Sequence, residues 1–170
     1  MKKFTIITLC TMLLTVSNVF AQAKTIVGVA AGNDDFSTLV AAVTAADLVE
    51  TLNSEGPFTI FAPTNDAFNK LPEGTVAGLL EPSSKDALTG VLTYHVVAGE
   101  YNAAAVLKAI DENNGSFTAK TVQGGDILLS LNDGKVLLTD EKGNSSTVIM
   151  ADVEASNGII HAIDSVVMPN

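Results

Sequence analysis

The sequence predicts an α+β fold. In the first half of the chain, apolar residues recur at the three- and four-residue spacing of amphipathic helices. In the second half, short apolar runs alternate with Gly- and Asn-containing turns, as in antiparallel hairpins. Helices followed by a meander of hairpins are typical of the α+β class. We predict a leader at residues 1–21. Because the rest of the chain shows no linker or internal repeat, we predict that residues 22–170 form a single domain with its core at about 25–169.

The leader has the three parts of a secretory signal peptide. Lys2 and Lys3 precede an apolar run, and Ala21 provides a small residue before the expected cleavage at Gln22. The apolar run is interrupted by Thr and is shorter than the roughly 20 residues that a bilayer span needs. We therefore predict a secreted protein, extracellular or periplasmic or at the cell surface, without a membrane span. Cys10 is the only cysteine and leaves with the leader, which excludes disulfides and cysteine chemistry.

The remaining chain is strongly acidic. Loss of the two leader lysines changes the formal net charge from −10 to −12, and the chain contains no arginine. Nucleic-acid binding depends on many Lys and Arg contacts with phosphates, and anionic membranes attract basic segments. We therefore expect neither nucleic acid nor an anionic membrane surface as a partner.

The predicted helices begin at capping residues and carry apolar stripes. Asn33, followed by two aspartates, precedes the first helix, Thr64 or Asn65 precedes a short one, and Asn102 precedes an Ala-rich one. A Gly-Pro pair at residues 56–57 ends the early helical part. The predicted helical stretches are residues 36–43, 48–52, 65–71, 73–80, 84–92 and 103–110.

The predicted strands are short apolar runs, most of them in the second half. The turn sequences between the later strands contain Gly and Asn, which tolerate the positive φ of tight hairpins; they are Gly124-Gly125, Asn132-Asp133-Gly134, Lys142-Gly143-Asn144 and Asn157-Gly158. The predicted strands are residues 58–62, 94–97, 116–122, 127–131, 135–139, 147–154 and 159–168.

Three segments, in this order and spacing, resemble the motifs of the fasciclin domain family. They are TIFAPTNDAF at residues 59–68, LTYHVVAGEY at residues 92–101 and NGIIHAIDSVVMP at residues 157–169. The resemblance implies a β-wedge of about seven strands with helices packed against it. It also implies an extracellular adhesion or matrix role for a single domain.

Several motif residues have a structural interpretation. Pro63 is expected to end its strand, and Asn65 and Asp66 are expected to turn the chain into a helix by bonding free backbone N–H groups. A hairpin turn at Asn157-Gly158 is expected to set the register of the last strand. The residues that we assign to the structural motif are Pro63, Asn65, Asp66, Tyr94, His95, Asn157, Gly158 and His161.

The two histidines, His95 and His161, are the candidates for site chemistry. A zinc site would need carboxylates as further ligands, and the chain has no HExxH or paired-His spacing. We therefore predict buried imidazoles that are hydrogen-bonded to the backbone. Because no nucleophile motif is present either, we predict no metal, no cofactor, no catalytic residue and no enzymatic activity, with a hydrolase as the least favoured function.

The resemblance implies two landmarks for partner binding. One is the pair Tyr94-His95, whose tyrosine we expect in the core; the other is Asp152-Val153, our candidate partner-binding residues. Ala151 stands where the family usually has a basic residue, and Glu154 follows, so the partner is expected to differ from that of animal members.

The predicted function is that of a secreted interaction module in adhesion, in the extracellular matrix or in a biofilm. Its partner is an unidentified extracellular protein or glycan, and the sequence leaves the oligomeric state open. The alternative is a carrier of an apolar small molecule such as a carotenoid, because helices rich in Ala, Val and Leu suit either a binding cavity or an ordinary core.

Overall fold

The computed structural model describes residues 24–170. The predicted signal peptide, residues 1–21, lies outside the described residues. The helices are Ile26–Ala31 (α1), Ser37–Ala45 (α2), Val49–Leu52 (α3), Asn65–Asn69 (α4), Thr75–Leu80 (α5), Lys85–Tyr94 (α6) and Ala103–Glu112 (α7), with 3₁₀ turns at Asp34–Phe36 and Pro82–Ser84. Each helix within this part of the chain is too short or too polar to span a bilayer.

Within residues 24–170, seven strands form one nearly closed sheet. They are Phe58–Pro63 (β1), Val96–Ala98 (β2), Ser116–Lys120 (β3), Asp126–Asn132 (β4), Lys135–Thr139 (β5), Ser145–Ala155 (β6) and Gly158–Ile163 (β7). Their order is β2-β1-β7-β6-β5-β4-β3, and β1 pairs with β7 in parallel while the other neighbours are antiparallel. A single bridge between Val97 and Thr121 brings the two edges of the sheet together.

The sheet separates two hydrophobic cores. Along β1, Ile60 and Ala62 pack against the early helices, whereas Phe61 points to the inside of the sheet. Strand β7 alternates in the same way, because successive side chains of a strand point to opposite faces. Helix α7 contributes Val106 and Ile110 to the inner core. The two cores therefore share β1 and β7, which the helices cover on one side.

Local capping follows the sequence signals. The Asn102 side chain accepts from the backbone N–H of Ala105 at the start of α7, at 2.8 Å. The turn of the β4–β5 hairpin is Asp133-Gly134, with φ of 51° and 78°, as a type I′ turn requires. The predicted helix over residues 103–110 and the predicted hairpin at residue 133 are both confirmed.

Several predicted elements differ from the structure. The sequence analysis does not predict helix α1; the Thr25 side chain caps it, and Ile26 and Ala30 pack it on the helix-covered core. Tyr94 ends α6 and does not begin a strand, because helical hydrogen bonding continues as far as the N–H of His95. The last strand ends at Ile163 and not at Met168.

Of the two predicted caps of α4, the structure shows Thr64, whose side chain accepts from the N–H of Ala67. The predicted hairpin turn at Asn157-Gly158 is shifted by one residue. The two-residue loop between β6 and β7 is Ser156-Asn157, since Ala155 pairs with Gly158. Gly158 therefore already belongs to β7, where a Cβ would overlap the carbonyl group of Phe58.

Candidate functional site

His161 lies on β7 inside the sheet, with only 2% of its surface exposed. Its Nε2 donates to the carbonyl oxygen of Tyr101 at 2.7 Å, and its Nδ1 accepts from the N–H of Asp152 at 3.3 Å. A backbone N–H can only donate and a carbonyl can only accept, so these partners assign a neutral ring with its proton on Nε2. The ring also stacks on Phe61, with centroids 5.7 Å apart. His161 thus joins the loop before α7 to strand β6.

Strand β6 is irregular where His161 holds it. Its pairing with β7 shifts register on both sides of Met150. Asp152 follows with a φ of 57°, a left-handed conformation that is uncommon for residues other than glycine. Its Oδ1 accepts from the N–H of Ala103 at 2.6 Å, which satisfies a free donor in the first turn of α7. The two bulges therefore place Asp152 between β6 and α7.

The bulges leave apolar side chains in solvent. Ile149 and Met150 are 54% and 48% exposed, and Asp152 beside them is exposed as well. Val153 turns the other way and packs on the helix-covered core. We call Ile149, Met150 and Asp152 the bulge surface. Only Asp152 of these three was singled out from the sequence, although four apolar residues in the run TVIMA are more than one face of a strand can bury.

His95 follows α6 and is also 2% exposed. Its Nδ1 lies 2.8 Å from the carbonyl oxygen of Val91, and its Nε2 accepts from the N–H of Val167 at 3.3 Å. These partners assign the opposite tautomer, with the proton on Nδ1. Burial lowers the pKa of His95 to about 4, against the opposing effects of the Val91 bond and the Asp140 charge. The ring is therefore neutral at physiological pH.

The segment after β7 is held by side chains, which explains why it is not a strand. The N–H of Ser165 bonds Ser146, that of Val167 bonds His95, and that of Met168 bonds the Asp140 carboxylate at 3.0 Å. Side chains from several elements thus replace the backbone ladder of a neighbouring strand. Val167 is fully buried by this arrangement.

Asp140 is a buried carboxylate that the sequence analysis did not select. Besides Met168, the backbone N–H groups of Lys142 and Asn144 donate to it, at 3.0 and 2.8 Å. Burial alone would raise the pKa of Asp140, but the hydrogen bonds from Met168 and Asn144 outweigh it and lower the pKa below 3.8. Asp140 therefore stays charged, and its carboxylate holds both the turn between β5 and β6 and the C-terminal segment in place.

Tyr94 is completely buried, so the Tyr94-His95 pair presents no surface to a partner. The Tyr94 hydroxyl donates to the carbonyl oxygen of Asp126 at 2.7 Å and accepts from the N–H of Glu141 at 3.3 Å. Burial raises the pKa of Tyr94, and the charge of Glu141 acts in the same direction. The tyrosine thus links α6 to the hairpins.

The remaining motif residues connect segments that are distant in the chain. Pro63 ends β1, and the Asn65 side chain then bonds the N–H of Thr38, so that it caps α2 and not its own helix. Asp66 is exposed in the first turn of α4, where a negative charge favours the helix dipole. Asn157 joins α1, the α3–β1 loop and β1. The structure does not bring these residues together into one site.

The described residues contain no group of three or more His, Cys, Asp or Glu side chains arranged to hold a metal ion. An apolar cavity of about 30 Å³ lies between α1, α2 and the outer face of β1 and β7, with His95 on its wall. A volume of this size is comparable to that of one water molecule.

Known proteins and a family model match most of the chain. A family model described as Fasciclin domain matches residues 34–169. Protein sll1483 of Synechocystis sp. is 56% identical over 148 residues, covering 87% of this chain and 75% of that protein. Immunogenic protein MPB70 of Mycobacterium bovis is 39% identical over 145 residues, covering 82% of this chain and 66% of that protein.

A solved structure shares the fold. A FAS1 domain pair from the insect cell adhesion molecule Fasciclin I superposes with a TM-score of 0.75 at 21% identity, over 85% of this chain and 51% of that chain. The prediction of an α+β wedge of about seven strands, with helices mainly in the N-terminal half, is confirmed.

Proposed function

The chain belongs to the fasciclin domain family, and from this premise we propose that it is a secreted, non-enzymatic interaction module that binds an extracellular protein through the bulge surface. Membership confirms the resemblance inferred from the three motifs. The family is one of adhesion domains, and the structural relative comes from a cell adhesion molecule. Secretion, the protein partner and the residues that bind it are parts of the proposal.

The observation that carries the proposal is the exposure of Ile149 and Met150 on a strand that is fixed from behind. Aliphatic side chains that are half exposed can bury further apolar area against a partner, at about 25 cal/mol per Å². His161 and Asp152 hold the backbone of this strand through hydrogen bonds to Tyr101 and Ala103. Because the strand is already ordered, little conformational entropy is lost when it binds.

Charge supports a partner that is not a polyanion. The net charge of −12 without the leader repels polyanions, whereas Ile149 and Met150 are uncharged. Asp152 adds one carboxylate at the edge of the bulge surface, although its Oδ1 is already bonded to α7. We therefore expect a partner face that is apolar at its centre and neutral or basic at its rim.

The carrier alternative receives less support from the cavities. Sites for small molecules usually enclose about 300–1,000 Å³, and the apolar cavity beside α1 encloses about 30 Å³. A carotenoid would therefore require the helices α1 and α2 to separate from the sheet.

The experiment compares capture by the wild-type domain, residues 22–170, with capture by the double variant Ile149→Ser/Met150→Ser. Extracellular protein of the native source is passed over each immobilised protein, and bound species are identified by mass spectrometry. We expect one specific species to bind wild type and to be lost, by at least tenfold, from the double variant.

A matched control is the single variant Leu131→Ser, because Leu131 is 46% exposed on β4, outside the bulge surface. It should retain the captured protein. Equal thermal stability of all three proteins excludes unfolding as the cause. Equal loss in the control, or equal capture by the double variant, would refute the bulge surface as the binding site.

A further inference from the structure

A polar cleft lies at the end of the molecule where the α3–β1 loop, the β2–α7 loop and the β6–β7 turn meet. It is open to solvent and has a volume of about 440 Å³, within the range of small-molecule sites. Neutral polar side chains from different segments line it, among them Thr25, Asn53, Ser54 and Ser156. The cleft is separate from the bulge surface, whose residues do not line it, and its proposed ligand is independent of the proposed function.

The walls of the cleft are fixed by Asn157. Its side-chain Oδ1 accepts from the N–H of Ile26 at 2.9 Å, and its Nδ2 donates to the carbonyl oxygens of Leu52 and Ser54 at 2.7 and 3.0 Å. Thr25 in turn donates to Asn53 at 2.6 Å. Three segments of the chain are thereby locked in place, so a ligand would meet a preorganised surface.

Glycines keep the cleft narrow on one side. A Cβ at residue 56 would overlap the carbonyl oxygen of Asn157, and a Cβ at residue 158 would overlap that of Phe58. Backbone groups of Gly56 and Gly158 therefore form part of the lining. The close approach of the two backbones explains why these positions take residues without side chains.

The charge of the cleft is negative. Glu55 and Glu100, from two different loops, line it, and no lysine does. Four ion pairs occur within residues 24–170, and neither glutamate takes part in one. With two carboxylates and no third metal-ligating side chain nearby, the cleft suits an organic cation better than Ca²⁺ or Mg²⁺, which take six or more oxygen ligands.

We propose that this cleft binds an amino sugar that carries a free ammonium group. The ammonium group pairs with Glu55 and Glu100 through charge-assisted hydrogen bonds. The sugar hydroxyls exchange hydrogen bonds with the hydroxyl and amide groups of Ser54, Ser156 and Asn53. An alkyl polyamine fits less well, because it has no hydroxyl groups to exchange hydrogen bonds with these side chains.

The experiment titrates the domain, residues 22–170, with a glucosamine tetramer at mildly acidic pH, where the sugar amines are protonated, and follows backbone amide shifts by NMR. We expect saturable binding with a dissociation constant on the order of 1 mM and shifts centred on residues 53–57 and 155–158. Affinity should fall at least tenfold in Glu55→Gln/Glu100→Gln. The charge-matched control Glu73→Gln/Glu81→Gln, at exposed acids outside the cleft, should bind as wild type does.

Two further ligands separate the chemistry. The N-acetylglucosamine tetramer keeps the ring and lacks the charge, and spermidine keeps the charge and lacks the ring; each should bind at least tenfold more weakly. Equal binding of either one would overturn the amino-sugar proposal. Equal loss of affinity in both double variants would show a general charge effect, and it would overturn the proposal as well.

Discussion

His95 and His161 make the same pair of contacts in two different regions of the molecule. Each ring is 2% exposed, donates one N–H to a backbone carbonyl and accepts one backbone N–H. The segments that they hold differ. His95 fixes Val167, which is fully buried, whereas His161 fixes Asp152, whose other side is in solvent.

The same type of histidine contact therefore has two different structural roles. At His95 the ring replaces a missing neighbour strand, so its loss exposes the inside of the sheet. At His161 the ring supports a bulge from behind and leaves the bulge surface free for a partner. We therefore expect changes at His95 to act on the whole domain and changes at His161 to act mainly on the bulge.

The largest effect is expected from His95→Ala. The substitution leaves the buried N–H of Val167 without a partner, at about 1–3 kcal/mol, and adds a cavity; the carbonyl of Val91 loses the ring but keeps the backbone N–H of residue 95. We expect the free energy of unfolding to fall by about 4 kcal/mol, measured by urea denaturation. A loss below about 1 kcal/mol would show that water replaces the ring, contrary to the burial seen here.

The second effect is a pH dependence of stability that arises from His95. Its pKa of about 4 lies below the ordinary value of 6.5, so between these values the unfolded chain takes up a proton that the folded protein does not. The free energy of unfolding should therefore decrease as pH falls from 6.5 to 4, by up to about 3 kcal/mol, and this contribution should change no further below pH 4.

The control for this window is His95→Gln, which does not titrate there. The difference in unfolding free energy between wild type and this variant should shrink as pH falls through the window. Asp140 and Asp164 have pKa values below 3.8, so their contributions are lost only at still lower pH. Parallel pH profiles for the two proteins would contradict a buried neutral His95.

The third effect is expected from His161→Ala. The freed groups of Tyr101 and Asp152 lie close to solvent, so the expected loss of unfolding free energy is about 2 kcal/mol. Native-state hydrogen exchange should show faster exchange at Asp152 and Ala103 than in wild type, with Val167 unchanged after correction for global stability. Equal acceleration at Val167 would mean that the two histidine regions are one cooperative unit.

Local features of the fold were predictable because their causes are local. Asn102 caps α7 through a residue three positions away, and Asp133-Gly134 forms its turn alone. The sequence wrongly predicts a strand at Tyr94 because the short apolar run from residue 94 to 97 fits a strand as well as the end of a helix. It predicts a last strand as far as Met168 because nothing in these residues shows that side chains replace the hydrogen bonds of a neighbouring strand.

The site was less predictable because its contacts are distant in sequence. Asp152 was a candidate from the family pattern, but its partner Ala103 lies 49 residues away. The parallel pairing of Phe58 with Gly158 joins segments separated by helices and hairpins, and no periodicity encodes it. The exposure of Ile149 and Met150 results from the two bulges of β6, which the sequence does not reveal.

The smallest effect, from Asp152→Ala, tests the support of the bulge surface directly. The substitution removes the acceptor for the N–H of Ala103, worth about 1 kcal/mol as for other helix caps, and it places alanine at a φ of 57°. We expect a loss of about 1.5 kcal/mol in urea denaturation. Asp152→Asn keeps an acceptor and tolerates this φ, so it should stay within about 0.5 kcal/mol of wild type. If Asp152→Ala is as stable as Asp152→Asn, α7 does not depend on the bulge, and the His161 region supports the surface through Asp152 N–H alone.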